Sequence, residues 1–372
     1  MAVEPAFNRL AGYGWDPRTA ALFEAHMGSA DLQPGRVLAE HRGGYVVAGP
    51  AGDTDAVVSG RFRHEAHGAE DYPAVGDWVA FSAAHAGAGE GAAAIIQAVL
   101  PRASRFARAA RGDAAGAQIV AANVDIVLVV ASLDHDFNPR RLERYMALAW
   151  SSGAEPVIVL NKADLCDDVP ARVAEVTMIA PGVPVRPISA QEGSGIEALT
   201  PLLEPRKTIA LLGSSGVGKS TLVNAILGWE RQKTGAVRDD DQRGRHTTTM
   251  RELVIAPSGA LLIDSPGMRS VGMFEVEGGL ADAFSDVDAF ASQCRFSDCR
   301  HESEPGCAVQ AAIIDGSLPA QRLASQNKLA RESAALAARV DAVARSNNKR
   351  RWKQIGKSVR NQMRIKYGPG ER

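Results

Sequence analysis

Gly213-Ser214-Ser215-Gly216-Val217-Gly218-Lys219-Ser220 is the stretch that decides how this chain is read. An apolar run, Thr208 to Leu212, precedes it, and Thr221 to Leu227, closed by Gly228, follows. Strand, glycine-rich turn and helix in that order is the context a phosphate-binding loop needs. The glycines let consecutive backbone N–H groups turn inward on phosphate oxygens, and the helix N-terminus adds its partial positive charge. Lys219 is expected to reach the outer phosphates and Ser220 to ligate Mg²⁺, with Gly213 through Thr221 forming the cradle.

Outward from the loop, the grammar from Val124 is alternating strand and helix. Asp125 to Ala131 reads as an apolar strand, Pro139 to Trp150 as an amphipathic helix and Pro156 to Leu160 as a strand ending in Asn161-Lys162-Ala163-Asp164. A strand over Val185 to Ile188 ends in Ser189-Ala190, and one over Leu261 to Ile263 ends in Asp264-Ser265-Pro266-Gly267. In an N-K-x-D sequence the Asp carboxylate accepts from two N–H groups on one edge of guanine. Adenine lacks that pair of donors and leaves the carboxylate unsatisfied. Asp164 is therefore the expected base selector, with Asn161 bracing the loop, Lys162 over the base, and Ser189-Ala190 offering a backbone N–H to the guanine oxygen. Asp264 is expected in the Mg²⁺ shell and Gly267 at the γ-phosphate. Arg245-His246-Thr247-Thr248-Thr249 reads as a switch loop, and Thr248 is the favoured threonine for Mg²⁺. A phosphate-loop kinase or ATPase leaves Asn161 to Asp164 and Ser189-Ala190 without a task.

The order of these motifs is unusual. In a Ras-like GTPase the phosphate loop comes first and N-K-x-D late; here N-K-A-D and Ser189 precede the loop, so the domain reads as circularly permuted. A parallel sheet tolerates moved chain ends. The segment after Asp264 then leads straight into the C-terminal part. Met268 stands where Ras-type enzymes carry a water-orienting Gln. His246 is the candidate to take over that role.

Cys294-x4-Cys299-x-His301-x5-Cys307 offers three thiolates and an imidazole, a closed tetrahedral set that reads as one structural zinc site. The fourth cysteine, Cys166, reads as a plain thiol. Gln310 to Arg345 is Ala-rich with a helical pattern. Beyond it Trp352, Ile355, Val359 and Met363 recur at helical spacing among Lys349, Arg350, Arg351, Lys353, Lys357, Arg360 and Arg364. The chain's net charge of −1 therefore hides a basic tail on an acidic body, which points to a polyanion, and RNA phosphates are the favoured partner of the tail.

Toward the N-terminus, a short helical pattern covers Arg18 to Met27. Five β-rich runs follow between Gly35 and Leu100: Arg36–Ala39, Tyr45–Ala48, Ala56–Phe62, Asp77–Phe81 and Ala94–Leu100. They suggest a small barrel of the oligonucleotide-binding type. Tyr45, Phe62, Trp78 and Phe81, near Arg36, Arg42, Arg61 and Arg63, could stack bases and track phosphates; most of the aromatics are expected to fill the barrel instead. Pro101 to Gln118 reads as a linker in which Arg102, Arg105, Arg108 and Arg111 fall near one helical face, either a nucleic-acid contact or a solvated face.

At 372 residues, 45% hydrophobic and 23% charged, the composition is that of a globular protein with room for two or three domains. The longest strongly apolar run, Ile126 to Ala131, is too short to span a bilayer, and the first residues, with Glu4, Arg9 and Asp16 and no apolar core, show no visible signal peptide. A cytoplasmic protein with no membrane partner is expected.

The permuted order, G-S-S-G-V-G-K-S, R-H-T-T-T, D-S-P-G, the Cys₃His spacing and an N-terminal barrel closely resemble the bacterial ribosome-biogenesis GTPase family RsgA, also called YjeQ. Pro73 to Val79 and Ala121 to Asp125 also look like stretches of that family. The resemblance implies a multidomain fold: an OB-type β-barrel at 35–100, a linker at 101–123, a circularly permuted α/β P-loop GTPase domain at 124–274 and a mostly helical zinc-binding domain at 275–345. An extension at 1–34 and a basic tail at 346–372 flank them. It also implies GTP hydrolysis to GDP, stimulated by the small ribosomal subunit and its rRNA during late maturation; a monomer is expected. The switch-loop histidine is regarded as catalytic in the family, which maps onto His246. The competing expectations are an RNA-binding regulatory module in which hydrolysis is incidental, and a GTPase serving another RNA such as tRNA.

Overall fold

The computed structural model describes residues 8–25, 32–41, 43–83, 93–109, 117–228, 251–264, 277–335 and 337–338. Arg42, Arg111, His246, Thr247 to Thr249, Ser265 to Met268 and the basic tail lie outside the described residues.

The N-terminal segment opens with α1 (Asn8–Ala11) and α2 (Pro17–Glu24). Asp16 caps α2 by accepting from the Thr19 N–H at 2.7 Å, and Pro17 follows as a first-turn residue.

Five strands then close a barrel: β1 (Leu32–His41), β2 (Gly44–Ala48), β3 (Asp53–Val58), β4 (Trp78–Ser82) and β5 (Ala94–Val99). Their order is β1-β2-β3-β5-β4, and β4 returns to pair with β1, so the barrel has no free edge. The interior is Val37, Val47, Ala56, Val79, Phe81 and Ile96. The sequence placed Phe62 at the end of the third strand. It lies instead in α3 (Gly60–Glu65), because the Ser59 hydroxyl accepts from the Phe62 N–H at 3.0 Å and starts a helix there. Tyr45 and Phe62 pack against the barrel core, Phe81 is inside it, and Trp78 stands edge-on to Trp15 at 5.1 Å. These aromatics serve packing.

Residues 101–123 are not a helix-faced linker. They hold a hairpin, β6 (Arg105–Ala109) and β7 (Ala117–Ala122). β7 is buried almost throughout, with Ile119, Val120, Ala121 and Ala122 all inside, and it covers Phe106 and Ala107 of β6, so an extended pair replaces the apparent helical face. Arg102 is not a solvated cation: its Nε and Nη2 each donate at 2.8 Å to the carboxylate of Asp77, which is fully buried.

The central sheet holds β8 (Ile126–Ser132), β9 (Glu155–Asn161), β10 (Val185–Pro187), β11 (Thr208–Leu212), β12 (Arg251–Ile255) and β13 (Leu261–Asp264). Its order is β10-β9-β8-β11-β13-β12, parallel except for β12. Near-continuous apolar strands such as Ile126 to Val130 are what a sheet covered on both faces requires. Helices α4 (Pro139–Ser152) and α5 (Val169–Ile179) lie on one core, and α6 (Lys219–Leu227) on the other. The parallel strands bring their carboxyl ends to one edge, where ligand crevices form in such sheets.

The two sheets are continuous. β1 pairs with β4 through its first half, shifts register between Val37 and Ala39, and pairs with β12 at Ala39↔Glu252 and Glu40↔Arg251. Arg251 Nη1 donates to Glu40 across this joint at 2.6 Å. Arg36 fastens it. The side chain is 3% exposed and donates to the carbonyls of Tyr13, Gly76 and Asn123 and to the Thr208 hydroxyl, with its guanidinium 5.0 Å from the Trp78 ring. Burial pulls its pKa down to about 10, so it stays charged near neutral pH. This arginine is unavailable to nucleic acid.

The C-terminal part is helical: α7 (Glu277–Ala283), α8 (Ser285–Ala291), α9 (Ala308–Ile314) and α10 over 320–335. The helical pattern from Gln310 is realised as α9 and α10, separated by a turn at Gly316 and Pro319. Phe284, Val309 and Leu323 share a core with Met146 of α4.

Replacing Arg36 with Met removes a cation on which four acceptors depend. Urea unfolding is expected to show a loss of about 1–3 kcal/mol, the range for leaving buried acceptors unsatisfied; a change under about 0.5 kcal/mol would contradict its role as the joint's fastener.

Candidate nucleotide site and metal centre

Residues 213–218 connect β11 to α6 without a side-chain cap. Gly218, at the helix start, has φ +92°, and a Cβ there would lie 2.2 Å from the Asn161 side-chain nitrogen. Only glycine fits both the left-handed backbone and that approach. Ser215 and Gly216 are exposed, and Ser214, Lys219 and Ser220 half-buried. Lys219 folds back over the loop, Nζ donating to the carbonyls of Gly213 (2.6 Å) and Ser214.

Asn161, the last residue of β9, is 2% exposed. Its Nδ2 donates to the Val217 carbonyl at 2.8 Å, and its Oδ1 accepts from the Ala190 N–H at 2.9 Å. One amide thus joins N-K-A-D, the phosphate loop and Ser189-Ala190. Lys162 has φ +62° and opens the 3₁₀ turn Ala163–Leu165, in which Asp164 is exposed. Ser189 is fully buried, its N–H donating to the Ser194 carbonyl at 2.9 Å. Asp264 closes β13, two strands from β8 with β11 between.

Two contributors, one just past β8 and one in the first turn of α4, carry no motif. Lys162 Nζ donates to Asp134 at 2.7 Å, and the same carboxylate accepts from the Ser132 hydroxyl (2.8 Å) and the Asp136 N–H (2.9 Å). Burial would push the Asp134 pKa up, but these donors outweigh it and bring it to about 2. The second is Arg141, which donates to the Ser214 hydroxyl at 2.9 Å. The only hint in the sequence is a pair of carboxylates, Asp134 and Asp136, just past a strand end.

The Cys₃His set gathers as its spacing predicts. The ligand atoms of Cys294, Cys299, His301 and Cys307 all lie within 4.8 Å of one another. His301 Nδ1 is 3.6 Å from the Cys294 sulfur and 3.5 Å from that of Cys307, and those two sulfurs are 3.9 Å apart. Tetrahedral zinc with Zn–S near ~2.3 Å and Zn–N near ~2.0 Å requires edges of about 3.8 Å for S–S and about 3.5 Å for S–N. The donor set fits that ion. Glu304 shapes the knuckle by accepting from the N–H groups of Arg300, Glu302 and Ser303, at 2.9, 2.9 and 3.1 Å.

A profile of the family described as RsgA GTPase matches residues 99–274. A protein of Opitutus terrae named small ribosomal subunit biogenesis GTPase RsgA is 47% identical over 361 residues, covering 96% of this chain and 98% of its own. One of the same name from Streptomyces avermitilis is 42% identical over 366 residues, covering 96% and 95%. Among solved structures, YjeQ from Thermotoga maritima superposes with a TM-score of 0.60 at 28% identity, covering 81% of this chain and 98% of its own. YloQ, described as a circularly permuted GTPase, shares the fold with a TM-score of 0.57 at 23% identity. With the barrel, the permuted sheet and the Cys₃His cluster in place, the chain belongs to the RsgA family of circularly permuted GTPases.

Proposed function

We propose that this GTPase acts on the small ribosomal subunit during its late maturation, in the cytoplasm, and that the subunit stimulates the hydrolysis that releases it. The observation that carries the site reading is the Asn161 amide, which holds the guanine-type motif against the phosphate loop. The relatives named for small-subunit biogenesis, matched over nearly the whole chain, support the choice of partner.

In this reading the N–H groups of Gly213 to Thr221 cradle the phosphates of GTP or GDP. Lys219 exchanges its two loop carbonyls for the outer phosphates. Asp164 accepts from the guanine edge, Lys162 is held over the base by Asp134, and Ser189-Ala190 border the base oxygen. Ser220, Asp264 and Thr248 would hold Mg²⁺, which neutralises charge developing on the phosphates, and the Gly267 N–H meets the γ-phosphate. His246 orients the water in place of a Gln, since Met268 cannot. Cys294, Cys299, His301 and Cys307 hold one zinc whose closed shell stabilises the domain. The basic tail contacts rRNA phosphates. The chain works as a monomer.

The deciding experiment measures GTP turnover by the chain alone, then with purified small subunits, large subunits or tRNA. Stimulation by small subunits alone is the expected result; equal turnover in all four would remove the subunit from the reading. His246→Ala is expected to lower stimulated turnover about 10²-fold, as for loss of a positioned acid–base group, while sparing GTP affinity. An Asp164→Asn chain is expected to lose roughly 10⁴-fold in GTP affinity and to gain xanthosine triphosphate, whose second carbonyl accepts from the new amide; retained guanine preference would displace Asp164 as the selector. Elemental analysis is expected to find one zinc per chain, lost in Cys299→Ser together with part of the thermal stability. Undiminished zinc in that variant would contradict the four-ligand site.

A further inference from the structure

Helix α4 stands between the phosphate loop and the C-terminal helices and is bonded to both. On one face, Arg141 Nη1 donates to the Ser214 hydroxyl at 2.9 Å. Ser214 is the second residue of the phosphate loop. Asp136 aims the guanidinium: its carboxylate oxygens accept from Nη1 at 2.7 Å and from Nη2 at 2.8 Å. That fork-on-fork pairing fixes the plane of the guanidinium as well as its place.

The opposite face of the helix is anchored. Glu143 is two residues past Arg141, about 200° around the helix. It is 5% exposed and accepts from Arg322 of α10 at 3.0 Å. Arg322 also bonds Asp286 and donates to the Ala283 carbonyl at 2.9 Å. Arg144 donates to Glu332 at 2.8 Å. Behind them α7 crosses α4 so closely that a Cβ on Gly279 would meet the Ala147 carbonyl at 2.2 Å and the Ser151 nitrogen at 2.4 Å. A helix clamped this way presents Arg141 as a fixed point.

We infer that Arg141 is a positioning residue for the phosphate loop: a strut from α4 that sets Ser214, and with it the direction of the loop's first N–H groups, before nucleotide arrives. It rests on the reading of 213–220 as the phosphate site of a guanine nucleotide. A loop that binds through backbone N–H groups loses affinity when those groups must be ordered on binding, and a strut removes that cost. Because Asp136 neutralises the guanidinium, the effect is positional and does not depend on a net charge beside the phosphates. A positional effect survives added salt, whereas attraction of a charge to the phosphates is screened.

The test is release of a fluorescent N-methylanthraniloyl-GDP from the full chain, from Arg141→Ala, from Ser214→Ala and from the double variant, at low and high salt. Ser214→Ala removes a single hydroxyl, so it remains informative if Arg141→Ala folds poorly. Each single change is expected to speed release about 5- to 10-fold. The double variant is expected to be no faster than the faster single, since both remove one contact. The ratios are expected to hold at high salt. Unchanged release in both singles, multiplying effects in the double, or an effect that disappears at high salt would each overturn the strut. Failure of the unsubstituted chain to bind the probe would refute the guanine-nucleotide reading and the strut with it; binding without a variant effect refutes the strut alone.

Discussion

The Asn161 amide is the constraint on which the rest of the nucleotide site depends. N-K-A-D, Ser189-Ala190 and the phosphate loop arrive from three different strands, and no short stretch of chain connects them. A single carboxamide, with one donor aimed at Val217 and one acceptor aimed at Ala190, holds all three in register. It also dictates Gly218, because no side chain can stand where the amide nitrogen stands. Chain order does not matter to this arrangement, since strand neighbours in a parallel sheet are set by packing and hydrogen bonding. That is why a permuted connection leaves the site intact.

The second dependency is the joint between barrel and GTPase sheet. β1 serves both: it leaves β4 at the Val37/Ala39 irregularity and takes up β12. β12 is therefore at once the antiparallel edge of the nucleotide-site sheet and a neighbour of the barrel. A bulge bends a strand and raises its twist, which suits one strand to two sheets. Arg36 and the Arg251–Glu40 pair hold the joint from within and from its rim. On the far side, α4 plays the matching part for the C-terminal helices.

Much of this was legible in the sequence. The phosphate loop, the strand ending in N-K-A-D, the permuted order and the Cys₃His cluster are local patterns whose geometry follows from spacing alone. The third barrel strand stops at Val58, short of Phe62, because Ser59 starts a helix, a cap whose effect depends on where the chain turns. The arginines at 102, 105 and 108 look alike in sequence. Their fates differ because Asp77, 25 residues before Arg102, is buried and needs a partner. Arg36 reads as a free cation until its acceptors, as far away as Thr208, are placed around it. Asp134 under Lys162 and Arg141 on Ser214 are likewise tertiary pairings, without a motif to announce them.

The central claim is that strand ends out of their usual chain order form one guanine-selective site. Hydrogen exchange of the backbone with and without GDP tests it most directly. Slowing of exchange in peptides covering 161–165, 188–191 and 213–221 together, with ATP producing none of it, is the expected result. Slowing confined to 213–221, or the same pattern with ATP, would contradict the claim.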